Sequence, residues 1–296
     1  MGRKGCEHGR VIDLHVHSLL SDGSDEPERL PELAAKVGCR TIALTDHDRL
    51  EGIARARARG AEVGVEVIGG TELSCSAHYD VDGIRPVLHI LVYFVEAGDG
   101  PLQRELVRQS SARIDRNERL VERLRTLGID LSFDDLVAAA GKEDGIGRPH
   151  VAKVLVERGI VASPQDAFDV WLGKGKPGYV ERDELDAKTA IDLAVQSGGV
   201  AVIAHPLSLG LAGASFDNAI GELRDAGMGG MECVYGRYRP RERASLIEMA
   251  RRNNLVATGG SDYHGTYKPD LRVGVGLGDL NVADSVVEEL RSRRMA

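Results

Sequence analysis

The chain has 296 residues, of which 42% are hydrophobic and 28% are charged, a balance typical of a globular protein. Its formal net charge of −8 argues against a general nucleic-acid coat protein but allows a nucleotide to bind in a local positive pocket. No apolar run approaches the ~18 residues of a membrane span, and the polar N-terminus does not suggest a signal peptide. The four scattered cysteines have no paired spacing, so we expect them to be reduced in a cytoplasmic protein.

Short β-branched runs alternate with helical patterns along most of the chain. Most of the runs are continuously apolar, as expected for strands buried on both faces. The predicted strands are Val11–Leu14, Thr41–Leu44, Val65–Ile68, Val87–Phe94, Val200–Ala204, Met231–Val234 and Leu255–Thr258. The helical patterns between them are Glu28–Val37, Leu50–Ala61, Ala187–Gln196, Phe216–Ala226 and Pro240–Asn253. This alternation predicts a parallel sheet that is either open or closed into a barrel.

The interval between the fourth and fifth predicted strands is helical. Its first part predicts one long helix that ends at Gly128, and its later part predicts three shorter helices. Their ranges are Leu102–Leu127, Phe133–Ala140, Pro149–Arg158 and Pro164–Leu172. We therefore predict an α-helical insertion domain at 101–179, carried by a barrel made of residues 1–100 and 180–296.

Side chains that can bind metal lie at or just beyond the ends of six of the seven predicted strands. They are His15, His17, Asp22, His47, Glu72, His89, His205, Asp262 and His264. Side chains two apart on a strand point the same way, so Asp13, His15 and His17 are predicted to share one face. In a parallel barrel the strand ends converge on one rim. So many buried charges need partners, and nine ligands are too many for one ion, so two or three ions are predicted.

Six ordered sequence elements together resemble the PHP (polymerase and histidinol phosphatase) superfamily. They are Asp-Leu-His-Val-His-Ser (13–18), Thr-Asp-His-Asp (45–48), Gly-Thr-Glu (70–72), His89, His-Pro (205–206) and Ser-Asp-Tyr-His-Gly (261–265). The resemblance implies a distorted (β/α)7 TIM-like barrel, in agreement with the seven predicted strands. It also implies hydrolysis of phosphate esters with two or three Mn, Fe or Zn ions.

The same resemblance distributes the nine ligands over three ions. The first ion would be held by His15, His17, Glu72 and Asp262. Glu72 would bridge to a second ion, completed by His89 and His205. The third ion would be held by Asp22, His47 and His264.

The predicted insertion contains one further motif, Gly147-Arg148-Pro149-His150, in which the proline opens a predicted helix. It resembles the Arg-Pro-His element of small bacterial PHP phosphoesterases that act on nucleotides, in which the insertion closes over the site and holds phosphate. Arg148 suits this role because its planar fork matches two phosphate oxygens. His150 is a candidate proton donor to the leaving oxygen, and a water molecule at the metals is the alternative. Arg113 and Arg116, on the long helix, either reach a substrate phosphate or belong to a solvated face.

Three functions remain open. The resemblance favours removal of the 3′-phosphate of nucleoside 3′,5′-bisphosphates, or of nucleotides from the 5′ end of short oligonucleotides. Histidinol-phosphate phosphatase is the second, less favoured because the Arg-Pro-His element points to the group acting on nucleotides. A non-catalytic nucleotide-binding or polymerase-associated module ranks last, because the ligand set matches the family pattern. The net charge of −8 favours small phosphorylated partners over long duplex nucleic acid, because it would repel a long polyanion. No membrane partner is expected.

Overall fold

The protein is described by a computed structural model that covers residues 12–76, 78–79, 87–141, 146–181 and 185–294. It divides into two compact units, one formed by residues up to Arg104 together with those from Leu185 onwards, the other by Glu105–Glu184. The helical unit thus starts and ends a few residues later than the predicted insertion at 101–179. Among the described helices, none is long and apolar enough to cross a membrane.

The first unit is built on an eight-stranded sheet. Its strands are β1 (Ile12–Val16), β2 (Thr41–Leu44), β3 (Glu66–Ser76), β4 (Val87–Tyr93), β5 (Leu185–Asp186), β6 (Val200–Ile203), β7 (Gly230–Tyr235) and β8 (Val256–Gly260). Seven of them follow one another in the order β1-β2-β3-β4-β6-β7-β8, and the short β5 pairs with the end of β3. Val11, predicted as the first residue of the first strand, lies outside the described residues.

Backbone hydrogen bonds bring the two edges of this sheet together. The N–H of His17 donates to the carbonyl of Tyr263 at 3.0 Å, and the N–H of Asp262 donates to the carbonyl of His15 at 2.9 Å. These bonds join β1 to the segment that follows β8, so the sheet is a nearly closed barrel. The predicted α/β fold class, a distorted TIM-like barrel, is confirmed.

The prediction of a wholly parallel sheet is wrong at β4, which is antiparallel to both β3 and β6. Only residues 77–86 connect β3 to β4. That connection is shorter than the dozen or more residues that a parallel crossover needs. As a consequence, the first half of β4, and not its end, lies beside the carboxyl ends of the parallel strands. His89 therefore reaches the barrel rim from the start of its strand.

Ten α-helices occur in the described part of the chain. They are α1 (Arg29–Lys36), α2 (Ile53–Val63), α3 (Pro101–Thr126), α4 (Phe133–Ala140), α5 (Arg148–Glu157), α6 (Pro164–Ala167), α7 (Ala187–Gln196), α8 (Gly213–Asp225), α9 (Pro240–Arg252) and α10 (Ser285–Ser292). The sequence patterns missed α10 and the short β5. The predicted helix Pro164–Leu172 is α6 followed by one π-helical turn, Phe168–Leu172.

Each unit has its own hydrophobic core. In the barrel, side chains such as Leu14, Leu91 and Val202 are fully buried together. In the helical unit, Leu124 of α3 packs with Leu155 of α5 in a separate cluster. Burial of this kind supplies the main driving force for folding, so each unit can hold its own polar side chains on a fixed frame.

Candidate metal centre

Glu72 is the hub of a buried cluster of histidines and carboxylates. One oxygen, Oε2, lies 3.1 Å from Nε2 of His15, 3.1 Å from Nε2 of His17 and 3.3 Å from Nε2 of His47. The other, Oε1, lies 3.0 Å from Nδ1 of His89 and 2.9 Å from Nε2 of His205. Glu72 itself is 1% exposed. One carboxylate therefore contacts five imidazole rings, which come from three strands or their ends (β1, β4 and β6) and from the loop after β2.

The remaining three predicted ligands extend this network. Oδ1 of Asp262 lies 3.6 Å from Nε2 of His15 and 3.5 Å from Nε2 of His17. Oδ1 of Asp22 lies 3.2 Å from Nε2 of His264, and its Oδ2 lies 3.7 Å from Nε2 of His47. All nine side chains predicted as ligands thus belong to one connected cluster.

Within the described residues, three groups have ligand atoms close enough together to share an ion. They are His15, His17, Glu72 and Asp262; His17, Asp22, His47 and His264; and His47, Glu72 and His89. The first group is the set expected for the first ion, and the second adds His17 to the set expected for the third. The third group contains His47 where the resemblance implied His205, although His205 Nε2 also contacts Glu72. The distribution of ligands over ions stays a prediction.

Two of these residues occupy a backbone region that L-amino acids rarely adopt. His205 has φ 27° and Asp262 has φ 56°. Such conformations cost of order 1–3 kcal/mol and persist only where the surroundings impose them. Each residue lies two positions beyond the end of a barrel strand, so the strain is located in the turns that direct these side chains into the cluster.

Asp13 does not join the cluster, contrary to the prediction from strand alternation. The pairing of β1 with β2 shifts register between Asp13 and Val16, so the alternation of faces is broken there. The carboxylate of Asp13 accepts backbone N–H groups of Ser261 at 2.8 Å and Gly274 at 2.7 Å. It thereby ties β1 to the segment after β8.

The loop that carries Asp22 is held by a carboxylate on the neighbouring strand end. Asp46, after β2, accepts the N–H of Ser18 at 2.7 Å and the hydroxyl of Ser21 at 2.7 Å. Asp46 is buried, and its bonds fix the chain between His17 and Asp22. Asp22 is the most exposed predicted ligand, with 48% of its side chain accessible.

Three further residues that the sequence analysis missed contact the ligands from outside. Oε1 of Glu232 on β7 lies 2.9 Å from Nδ1 of His15, and its Oε2 accepts the N–H of His205 at 2.7 Å. The hydroxyl of Tyr235 donates to Oδ2 of Asp262 at 2.8 Å, and the Lys268 ammonium donates to the same oxygen. A signal was available for Glu232, a charged residue within the apolar run Met231–Val234.

Burial and charge oppose each other in this cluster. Burial would raise the pKa of Glu72, but His47, His15 and His89 hold it well below its usual range. Burial would lower the pKa of His15, but Glu232, Glu72 and Asp262 raise it well above its usual value. For His17, burial together with nearby His264 lowers the pKa to about 3, so its imidazole is neutral at physiological pH.

The donor set fits divalent metal ions. Imidazole nitrogens and carboxylate oxygens are ligands for Zn, Mn and Fe, and they must be deprotonated to bind. Among the described residues, the Nδ1 atoms of His17 and His47 are buried without a hydrogen-bond partner. Orphaned buried nitrogens are uncommon in a folded protein, and a bound divalent ion would supply such atoms with a partner.

The predicted substrate-binding residues lie in the helical unit. Arg148 is the first residue of α5 and is half-buried, as is His150. Nδ1 of His150 accepts the N–H of Gly147 at 3.0 Å, so a neutral His150 carries its proton on Nε2. On α3, Arg113 is half-buried and Arg116 is 5% exposed, so Arg116 does not belong to a solvated face.

This chain resembles known proteins both in sequence and in fold. A family model described as the PHP domain matches residues 13–158. A 5′-3′ exoribonuclease of Haemophilus influenzae is 33% identical over 86% of this chain and 90% of the relative. A 3′,5′-nucleoside bisphosphate phosphatase of Chromobacterium violaceum is 32% identical over 86% of this chain and 87% of the relative.

One more relative and one solved structure are also similar to this chain. A phosphoribosyl 1,2-cyclic phosphate 1,2-diphosphodiesterase of Eggerthella lenta is 34% identical over 87% of this chain and 95% of the relative. A crystal structure from Bifidobacterium adolescentis, described as a metal-dependent phosphoesterase, superposes with a TM-score of 0.78 at 29% identity. That superposition covers 97% of each chain.

A nearly closed barrel whose rim gathers histidines and carboxylates around a shared glutamate defines a metal-dependent hydrolase of phosphate esters. Its similarity to curated relatives extends over most of both chains. The chain belongs to the PHP domain family.

Proposed function

We propose that this enzyme removes the 3′-phosphate of nucleoside 3′,5′-bisphosphates or 5′ nucleotides of short oligonucleotides. The observation that carries the proposal is the cluster of nine predicted ligands around Glu72, in a chain whose relatives include an exoribonuclease and a nucleoside bisphosphate phosphatase. The proposal includes two or three divalent ions, Mn, Fe or Zn. A cytoplasmic location and a preference for small phosphorylated partners over long duplex nucleic acid stay predictions.

The ions would be held as the family pattern implies, with Glu72 shared between the first two. Divalent ions in these positions would supply the Lewis acidity that activates water for attack on phosphorus and neutralises the phosphoryl oxygens. The residues around them keep the ligands in place. Tyr235 and Lys268 both bind Oδ2 of Asp262, which leaves Oδ1 directed at His15 and His17.

The helical unit is proposed to recognise the phosphate groups of the substrate. The guanidinium of Arg148 would bind two phosphoryl oxygens and stabilise the charge that develops during transfer. His150, with its proton on Nε2, is one candidate to protonate the leaving oxygen, and water at the metals is the other. Arg113 and Arg116 are proposed as secondary phosphate contacts.

Replacing Arg148 with alanine should lower kcat/KM by a factor corresponding to roughly 2–4 kcal/mol, comparable to losing one donor to a transition-state oxyanion. Metal content should not change, because Arg148 is not a proposed ligand. Steady-state kinetics and elemental analysis of the same preparation measure both quantities. A matched control is Arg125→Ala on α3, whose side chain is 60% exposed and pairs only loosely with Glu122 at 3.9 Å. If Arg148→Ala loses metal, its proposed role is wrong.

Nucleoside 3′,5′-bisphosphates or short 5′-phosphorylated oligonucleotides should exceed histidinol phosphate in kcat/KM by at least about tenfold, or roughly 1.4 kcal/mol. A substrate with two phosphates offers a second anionic group for which an arginine such as Arg148 is a suitable partner. Assays of these substrates on one preparation with saturating Mn²⁺ measure the ratio. Equal or better turnover of histidinol phosphate would contradict the nucleotide proposal but leave phosphoester hydrolysis standing.

The same assay should include a phosphoribosyl cyclic phosphodiester, because one relative acts on such a compound. Preference for this diester over both nucleotide substrates would move the proposal from nucleotides to sugar phosphates. Binding of nucleotides without turnover of any substrate would favour the non-catalytic alternative.

A further inference from the structure

Glu232 is a buried carboxylate that is not a ligand in any of the proposed ion sites. It lies within β7, between the fully buried side chains of Met231 and Cys233, and is itself 0% exposed. Burying a charge is costly unless each of its oxygens has a strong partner. Both oxygens of Glu232 have one. Oε1 contacts Nδ1 of His15 at 2.9 Å, and Oε2 accepts the backbone N–H of His205 at 2.7 Å.

The contact with His15 determines which ring nitrogen faces the cluster. In the neutral imidazole that binds an ion, a proton on Nδ1, held by Glu232, leaves the lone pair on Nε2. That Nε2 is the atom 3.1 Å from Oε2 of Glu72 and 3.6 Å from Oδ1 of Asp262. A carboxylate on the far nitrogen of a metal-binding histidine fixes its tautomer and ring orientation and makes it a stronger ligand.

The contact with His205 holds a strained backbone. His205 adopts φ 27° and ψ 60°, outside the regions that a non-glycine residue prefers. Its N–H is fixed by a charged acceptor on the adjacent strand, which is a stronger hydrogen bond than one to a neutral group. In this conformation Nε2 of His205 lies 2.9 Å from Oε1 of Glu72, whereas His15 contacts the other oxygen, Oε2.

We propose that Glu232 is a positioning residue that supports two of the ion sites at once, through the ring of His15 and the backbone of His205. The rings of these two histidines lie near each other, with centroids 6.0 Å apart and an interplanar angle of 19°. The inference rests on the metal centre proposed above and adds a residue outside the family-derived ligand set.

The variant Glu232→Gln tests this role with little change in volume. An amide has one acceptor oxygen and one NH₂ donor, so it cannot accept from both His15 and His205. We expect the Co²⁺ affinity of the folded variant to fall by about ten- to a hundredfold, the usual effect of losing a partner of a metal ligand. Competition with a chromophoric chelator measures the affinity, and the visible spectrum of bound Co²⁺ should shift as the ligand geometry changes.

A second variant and a control keep the test independent of stability. Glu232→Asp keeps the charge but is one methylene shorter, so it cannot span both N–H groups and should also bind Co²⁺ more weakly. Glu248→Gln makes the same chemical change at an exposed site on α9, where Glu248 pairs with Arg251, and should leave Co²⁺ binding unchanged. Circular dichroism and the melting temperature of each ion-free variant identify the folded ones.

The possible results separate this inference from the proposed function. Wild-type affinity and spectrum in folded Glu232→Gln or Glu232→Asp would overturn the positioning role, while tight Co²⁺ binding by the wild type would leave the metal centre standing. A loss of affinity in Glu248→Gln as large as in Glu232→Gln would also overturn it. A wild-type protein that binds no Co²⁺ would instead contradict the proposed function.

Discussion

Glu72→Ala should lower kcat/KM for a nucleotide phosphate ester at least about a thousandfold, equivalent to roughly 4 kcal/mol of transition-state stabilisation. The physical reason is that its carboxylate contacts five histidines and belongs to two of the three groups that can share an ion. Among the described side chains, no other carboxylate of the cluster contacts this many histidines, since Asp22 and Asp262 contact three each. We therefore expect Glu72→Ala to be the most damaging single ligand substitution.

The matched control lies on the same strand. Glu66 is the first residue of β3, its side chain is 46% exposed, and it pairs with Arg291 on the barrel surface. Glu66→Ala should therefore keep near-normal turnover and metal content. Circular dichroism and elemental analysis of both variants show whether the loss in Glu72→Ala accompanies metal loss in a folded protein. Near-normal turnover by Glu72→Ala would show that the metal assignment is wrong.

Removal of divalent ions with a chelator should reduce turnover to the level of the uncatalysed reaction and lower the melting temperature. Ions that bind the folded state alone stabilise it by RT ln(1 + [L]/Kd), about 2.7 kcal/mol per site when the free ion is at a hundred times its Kd. Without ions, the buried nitrogens of His17 and His47 lack the partner that the donor set implies. Differential scanning calorimetry and kinetics before and after chelation measure the two effects.

Adding Mn²⁺ back to the chelated protein should restore both properties, whereas Mg²⁺ should restore them less well because imidazole ligands favour the transition metals. The Glu72→Ala variant serves as the control, because its melting temperature should respond less to chelation than that of the wild type. Full turnover by protein shown to be free of ions would contradict metal dependence.

The positions of the predicted ligands were accessible from the sequence because two signals coincide. Apolar runs such as Thr41–Leu44 predict buried strands, and polar residues such as His47 and Glu72 follow these runs by a few residues. In a barrel the strand ends meet at one rim, so order along the chain translates into proximity in space. The whole cluster, though not its division among ions, follows from this rule.

Other features depend on register and direction, which apolar periodicity does not report. The shift between Asp13 and Val16 removes Asp13 from the face it was predicted to share with His15 and His17. The reversed direction of β4 is a consequence of a short connection, which the strand–helix pattern did not reveal. The exchange of His47 for His205 in one group depends on distances of a few ångströms between loops.

The residues that contact the predicted ligands without being ligands themselves were missed for a different reason. Glu232 occurs within a buried strand rather than at its end, so the rule that located the other carboxylates passed over it. Lys268 reaches Asp262 from a loop six residues further along the chain, where a lysine has no distinctive sequence context. Such contacts are set by side-chain packing in three dimensions, and only a structure with side chains shows them.

The most direct test of the account is to return Mn²⁺ stepwise to the chelated enzyme and to follow turnover of a nucleoside 3′,5′-bisphosphate against the number of ions bound per chain. Elemental analysis after rapid desalting gives the number bound at each step. Because Glu72 is proposed to bridge two ions, turnover should stay near background with one ion and rise only as the second binds. Full turnover with one ion or fewer per chain would contradict the shared-carboxylate centre.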